Sequence, residues 1–83
     1  MVSLVCKKVV IQFSSGDVRT IVPEEVPGAE ALTIIATEKL LTVYYVGPAT
    51  ETPDGKFSRN AVRAVTYNME IVDTFDSLEM LLR

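Results

Sequence analysis

ALTIIATEKLLTVYYV, residues 31–46, is the stretch on which the fold turns. Read as a helix from Ala29 to Leu41, it would carry Glu30, Thr33 and Thr37 as a narrow polar stripe, but Lys39 would then sit on the apolar side. Read as a hairpin, it uses its threonine, isoleucine, valine and tyrosine as strand formers. The polar triplet Thr37-Glu38-Lys39 would turn the chain. The hairpin, with strands at 31–36 and 40–46, is the reading favoured; one internal helix in place of both strands is the alternative.

Working outward, residues 3–13 (SLVCKKVVIQF) read as a strand with Val5, Val9, Ile11 and Phe13 on one face and Lys7 as the exception. Ser14-Ser15-Gly16-Asp17 is a turn, because short polar residues bond the local backbone and glycine takes positive φ. VRTIV, residues 18–22, returns as a second strand of a hairpin. Pro23 to Glu30 holds two prolines, a glycine and three glutamates, the composition of a surface loop or a single helical turn.

Beyond the decisive stretch, Gly47-Pro48 interrupts the strand, since proline cannot donate to a ladder. Pro53-Asp54-Gly55 is a strong turn signal, so 49–58 is either a loop or the tip of a long hairpin. Residues 60–72 form the longest strand candidate. Ala61, Val65, Tyr67, Met69 and Ile71 share one of its faces, with Arg63 interrupting. At the end, Asp76 and Glu79 have the spacing of a capping box, and Phe75 and Met80 that of a hydrophobic staple. Leu78, Leu81 and Leu82 would share a helical face, so a short helix is predicted over 75–83. A helix of this length cannot persist undocked in water.

The composition agrees with a β-rich chain. Its 83 residues include twelve valines, five isoleucines and eight threonines, and 48% of the chain is apolar. That length allows one domain, spanning 1–83, with a thin stability margin. Small domains often rely on disulfides, a metal or oligomerisation. Cys6 is the only cysteine and there is no histidine, so an internal disulfide is excluded and a structural zinc site has no ligand set. Self-association is one remaining way to cover surplus apolar surface. The N-terminal apolar residues are broken by Lys7 and Lys8 and no signal peptide is expected. No apolar run reaches membrane length. The expected location is cytoplasmic.

Few residues invite chemistry. Without histidine a hydrolytic triad of the usual kind has no base. Cys6 sits beside Lys7, but neighbours in a strand point to opposite faces, and an unpaired cysteine behaves as a small hydrophobe. Glu24-Glu25 lies in a proline-bounded loop and Asp73/Asp76 flank the expected helix start, so solvated loop and cap outweigh acid and base. No calcium loop, phosphate loop or dinucleotide fingerprint is present. An enzyme is not expected, and no cofactor is implied.

The net charge of −3 is unevenly spread, with two basic islands, one at Lys7, Lys8 and Arg19 and the other at Lys56, Arg59 and Arg63. Lys56-Phe57-Ser58-Arg59 places an aromatic between two cations, and Tyr44 and Tyr45 would point to opposite faces of their strand. Lys56, Phe57, Arg59, Arg63, Tyr44 and Tyr45 are the candidate interaction surface. Exposed aromatics and arginines suit protein interfaces; the same set could touch phosphates and stack a base, although an acidic chain is a poor prior for nucleic acid.

The expected fold is α+β: about five mostly antiparallel strands in a small sandwich or partly open barrel, closed by the C-terminal helix. The expected function is non-enzymatic interaction or assembly with a protein partner or with copies of itself. Nucleic-acid binding at the basic tip ranks second.

Overall fold

The structure, a computed structural model, describes residues 5–78. The decisive stretch is a hairpin. Strand β4 spans Ala31–Ala36 and β5 spans Leu40–Val46, paired antiparallel from Ala31 opposite Val46 to Ala36 opposite Leu41. Thr37 makes the turn. Its backbone N–H donates to the Leu40 carbonyl at 2.8 Å, and its Oγ1 accepts from the Leu40 and Lys39 amides at 3.1 and 3.4 Å. A helix would lose this local bonding and would turn the alternating row Leu41, Val43, Tyr45 out of line. As a strand, all three are buried on one face.

Nine strands are described, with almost no helix. Before the hairpin come β1 (Val5–Cys6), β2 (Lys8–Phe13) and β3 (Val18–Ile21); after it come β6 (Thr50–Glu51), β7 (Phe57–Ser58), β8 (Ala61–Asn68) and β9 (Val72–Leu78). They form a sheet in the order β1-β4-β5-β8, a second in the order β3-β2-β9, and the small β6-β7 ribbon. All pairings are antiparallel. No barrel closes.

The exceptional position of Lys7 has a structural cause. The chain bends there, so Val5 and Cys6 pair with Thr33 and Leu32 in the first sheet while Lys8–Phe13 pair in the second. The bend shifts the alternation by one. Cys6, Val9 and Ile11 enter the main core, whereas Val5 belongs to a separate cluster with Ala31 and Val46. One face for Val5, Val9 and Ile11 is thus corrected. The main core fills the space between the sheets: Cys6, Leu32, Leu41, Val43 and Tyr45 from the first meet Val9, Ile11, Ile21 and Val72 from the second. Phe13 and Tyr67 close one side with ring centroids 5.7 Å apart.

Turns follow the sequence closely. Gly16, at φ 96°, takes the left-handed conformation in the turn joining β2 to β3, where the Phe13 amide donates to the Asp17 carbonyl at 2.8 Å. Pro23–Glu25 forms a single 3-10 turn.

The C-terminal helix is not seen. Residues 75–78 lie in β9, with Phe75 opposite Ile11, Asp76 opposite Val10 and Leu78 opposite Lys8; residues 79–83 lie outside the described residues. Asp76 has the right type for a cap, but a cap contributes only about 1 kcal/mol. Pairing along β2 satisfies a row of backbone groups, buries Val72 and packs Phe75 on the core. The ladder outweighs the cap. Ile71, expected on an apolar face, instead sits exposed in the β8–β9 turn.

Leu41 is fully buried at the centre of the main core. Leu41→Ala should therefore cost about 2–5 kcal/mol, a large part of a small domain's stability. Urea denaturation would show this as a lower midpoint with an unchanged slope.

Candidate interaction groove

Fourteen residues, 47–60, connect β5 to β8. Their ends are tied together: the Gly47 amide donates to the Asn60 carbonyl and Arg59 Nη1 donates to the Gly47 carbonyl, both at 2.9 Å. Between them β6 and β7 pair, with Thr50 opposite Ser58 and Glu51 opposite Phe57. The connection is thus a further, smaller hairpin, an arm rather than an open loop.

Its tip is built by the Thr52-Pro53-Asp54-Gly55 turn. Thr52 N–H donates to the Lys56 carbonyl at 2.7 Å and Gly55 N–H to the Thr52 carbonyl at 2.9 Å. Gly55 adopts φ 81°, which a side chain would strain. Asp54 accepts from the Thr52 hydroxyl and from the Lys56 amide. These bonds favour the charged form and hold the Asp54 carboxyl below the usual aspartate range.

The arm stands against the outer face of the first sheet, the face turned away from the main core. Val5, Thr33, Tyr44 and Val46 form the floor, and Ala49, Phe57, Ser58 and Arg59 the wall, of an open groove of about 310 Å³. The floor is firm: Val5, Ala31 and Val46 are buried, with Tyr44 packed on them. Phe57 is half exposed on the wall. The guanidinium of Arg59 is partly buried and held by its single bond to Gly47; a guanidinium has five N–H donors, so it retains capacity for an acceptor in the groove.

Tyr44, Phe57 and Arg59 are therefore brought together, and the other candidates are not. Tyr45 is 3% exposed and belongs to the main core on the opposite face. Its hydroxyl reaches Glu25 Oε2 at 3.5 Å, and burial, reinforced by the Glu25 charge, pushes its pKa up. Arg63 pairs with Tyr45, away from the groove. Lys56 is exposed beside the arm's tip and does not line the groove. Ser58 joins Tyr44, Phe57 and Arg59 through the Lys56–Arg59 stretch, and Val5, Thr33, Val46 and Ala49, which carry no signal of their own in the sequence, complete the groove. Only pairing β1 with β4 and folding back the arm reveals them.

Elsewhere, Cys6 is fully buried, its thiol directed at the Leu32 carbonyl at 3.6 Å; burial raises its pKa. Among the described residues no group of three His, Cys, Asp or Glu side chains could hold a metal ion, and no helix is long and apolar enough to cross a membrane. Comparison with known proteins finds no family model, curated protein or solved structure that matches the chain.

Two measurements probe the arm. Arg59→Ala should remove about 1 kcal/mol of local stability, read as roughly fivefold faster amide exchange over residues 50–58 with the global transition little changed. The second follows Asp54 by carboxyl NMR. Because its folded pKa is depressed, its contribution to the turn is present above the unfolded pKa and lost as pH falls through the folded one. Thr52→Val, which deletes the hydroxyl donor, should move the Asp54 midpoint up.

Proposed function

We infer that the protein is a small non-enzymatic interaction protein that binds a partner protein through the groove beneath the arm. The observation carrying this reading is the convergence of Tyr44, Phe57 and Arg59 on one open, firmly floored groove. Tyrosine and arginine are enriched at interface hot spots, where an aromatic supplies contact area with few rotamers to freeze. The volume helps choose the ligand. About 310 Å³ is at the small end for ligand and cofactor pockets, and suits one or two apolar side chains of an extended segment. Arg59 adds a preference for an acidic group beside that anchor.

The nucleic-acid reading is weaker. Its three cations do not share a face: Arg59 lines the groove, Arg63 pairs opposite Tyr45 on the other side of the sheet, and Lys56 stands beside the arm's tip. A phosphate track needs successive cations along one surface.

A displayed library of random peptides tests both. It should enrich segments with an apolar anchor next to an acidic residue, and bound peptide should shift the NMR signals of Tyr44, Phe57 and Arg59. Tyr44→Asp should abolish binding and leave the cooperative melt intact. Peptides that enrich but shift only residues outside the groove would refute the site. A salt-sensitive mobility shift with single-stranded nucleic acid, lost on replacing Lys56, Arg59 and Arg63, would put the nucleic-acid reading first.

A further inference from the structure

We propose that two copies of the protein pair through β8, joining their first sheets into one continuous antiparallel sheet across a two-fold axis at Thr66. This surface is separate from the groove, none of whose lining residues lies in β8.

Among the described residues β8, Ala61–Asn68, pairs only with β5, and no described strand lies along its other side. The direction of its backbone groups follows from the register. The Met69 amide donates to the Lys39 carbonyl, toward β5. In an antiparallel ladder such bonded positions alternate, so Tyr67 and Val65 also face β5. The non-bonded positions bring side chains closer together, and Thr42 and Thr66 accordingly have their hydroxyls 3.3 Å apart. The backbone N–H and C=O groups of Ala64, Thr66 and Asn68 therefore point away from the sheet.

Edges are normally protected by prolines, lysines, bulges or inward charges. Here the register shift between Tyr45 and Val46 leaves Val62 as the bulged residue, and Arg63 lies on the core side of the strand. Both devices guard the start of β8. From Ala64 to Asn68 there is none: AVTYN contains no proline, no charge and no bulge. The core beneath is also incomplete, since Val65, Tyr67 and Met69 pack on it while only partly buried.

A second copy fits this edge in a specific register. Placing the axis at Thr66 sets Thr66 opposite its own copy and Ala64 opposite Asn68, so all three outward residues exchange bonds, about six in total. On the core side Val65 meets Tyr67 and Arg63 meets Met69. No charges of like sign oppose one another, and a threonine pair and an aromatic–β-branched pair are both favourable. Moving the axis to Ala64 would run into the bulge, and moving it to Asn68 would run into the turn after β8. The two-fold contact is closed, so the edge is consumed without growing a fibre.

The test is light scattering coupled to size exclusion, with directed cross-linking. The chain of 9.1 kDa should elute at twice its monomer mass at micromolar concentration. Thr66→Pro removes an outward N–H and should return the mass to one chain. Thr66→Cys places two thiols across a pair whose Cα atoms are about 5.5 Å apart, within disulfide reach. It should oxidise to a covalent dimer at least tenfold faster than Ser15→Cys, which is exposed in the β2–β3 turn. A monomeric mass at all concentrations up to the millimolar range, or equal oxidation rates for the two cysteine variants, would overturn the proposal. If Thr66→Pro fails to fold, the cysteine comparison still decides. Peptide binding in the groove is measured separately, so failure of either reading leaves the other standing.

Discussion

The structure depends on one segment serving two sheets. Residues 5–13 run nearly straight in sequence, yet the bend at Lys7 delivers Val5–Cys6 to the first sheet and Lys8–Phe13 to the second. That bend is fastened from both sides, by Lys7 N–H to the Leu78 carbonyl and Lys7 Nζ to the Glu30 carbonyl at 2.9 Å. A lysine suits the position because its stem can lie along the sheet while its ammonium reaches a carbonyl. With no disulfide available, the chain can hold two sheets face to face only by burying their apolar rows against each other, and the shared segment sets their alignment.

From this follows the division of the first sheet into two unequal faces. Its inner face is consumed by the main core. Its outer face is polar along part of its area, with Thr33, Thr42 and Thr66, but apolar where Val5, Ala31 and Val46 come together. That patch exists because the Lys7 bend puts Val5 outward and because β1 lies beside β4. The arm then partly covers it. The sequence 47–60 could have formed a loose loop, but the Gly47–Asn60 and Arg59–Gly47 bonds close its base and the Asp54 turn closes its tip. A groove results where a covered patch or a bare one would otherwise be.

The groove and the β8 edge, unpaired among the described residues, belong to the same sheet but make different demands. The groove offers side chains: aromatic surface and one guanidinium. The edge offers backbone groups, which bind any strand of suitable register and owe their selectivity to the side chains around them. Pairing at the edge would extend the sheet sideways and leave the groove accessible on its outer face. Such a pair would present two grooves, and binding partners carrying two segments would gain from the linkage.

Local chemistry was strong enough to be read directly from the residues at several places. Thr37-Glu38-Lys39 turns the chain between two runs of strand-forming residues, Ser14–Asp17 and Pro53–Gly55 each carry a glycine where positive φ is required, and the strands at 31–36 and 40–46 lie where their threonine, isoleucine, valine and tyrosine content favoured them. Buried Cys6 also followed from its residue type. Tertiary structure decided what local signals could not. The cap at Asp76 yielded to pairing with β2, because a row of ladder bonds and buried Val72 outweigh one capping bond. Val5 left the face of Val9 and Ile11 because of a bend that no turn residue announces. The basic residues 56, 59 and 63 are neighbours in sequence, yet a two-residue alternation and a bulge sent them to different surfaces. Tyr44 and Tyr45 separated for the simplest reason: adjacent residues of a strand face opposite sides, and which side became core depended on where the second sheet packed.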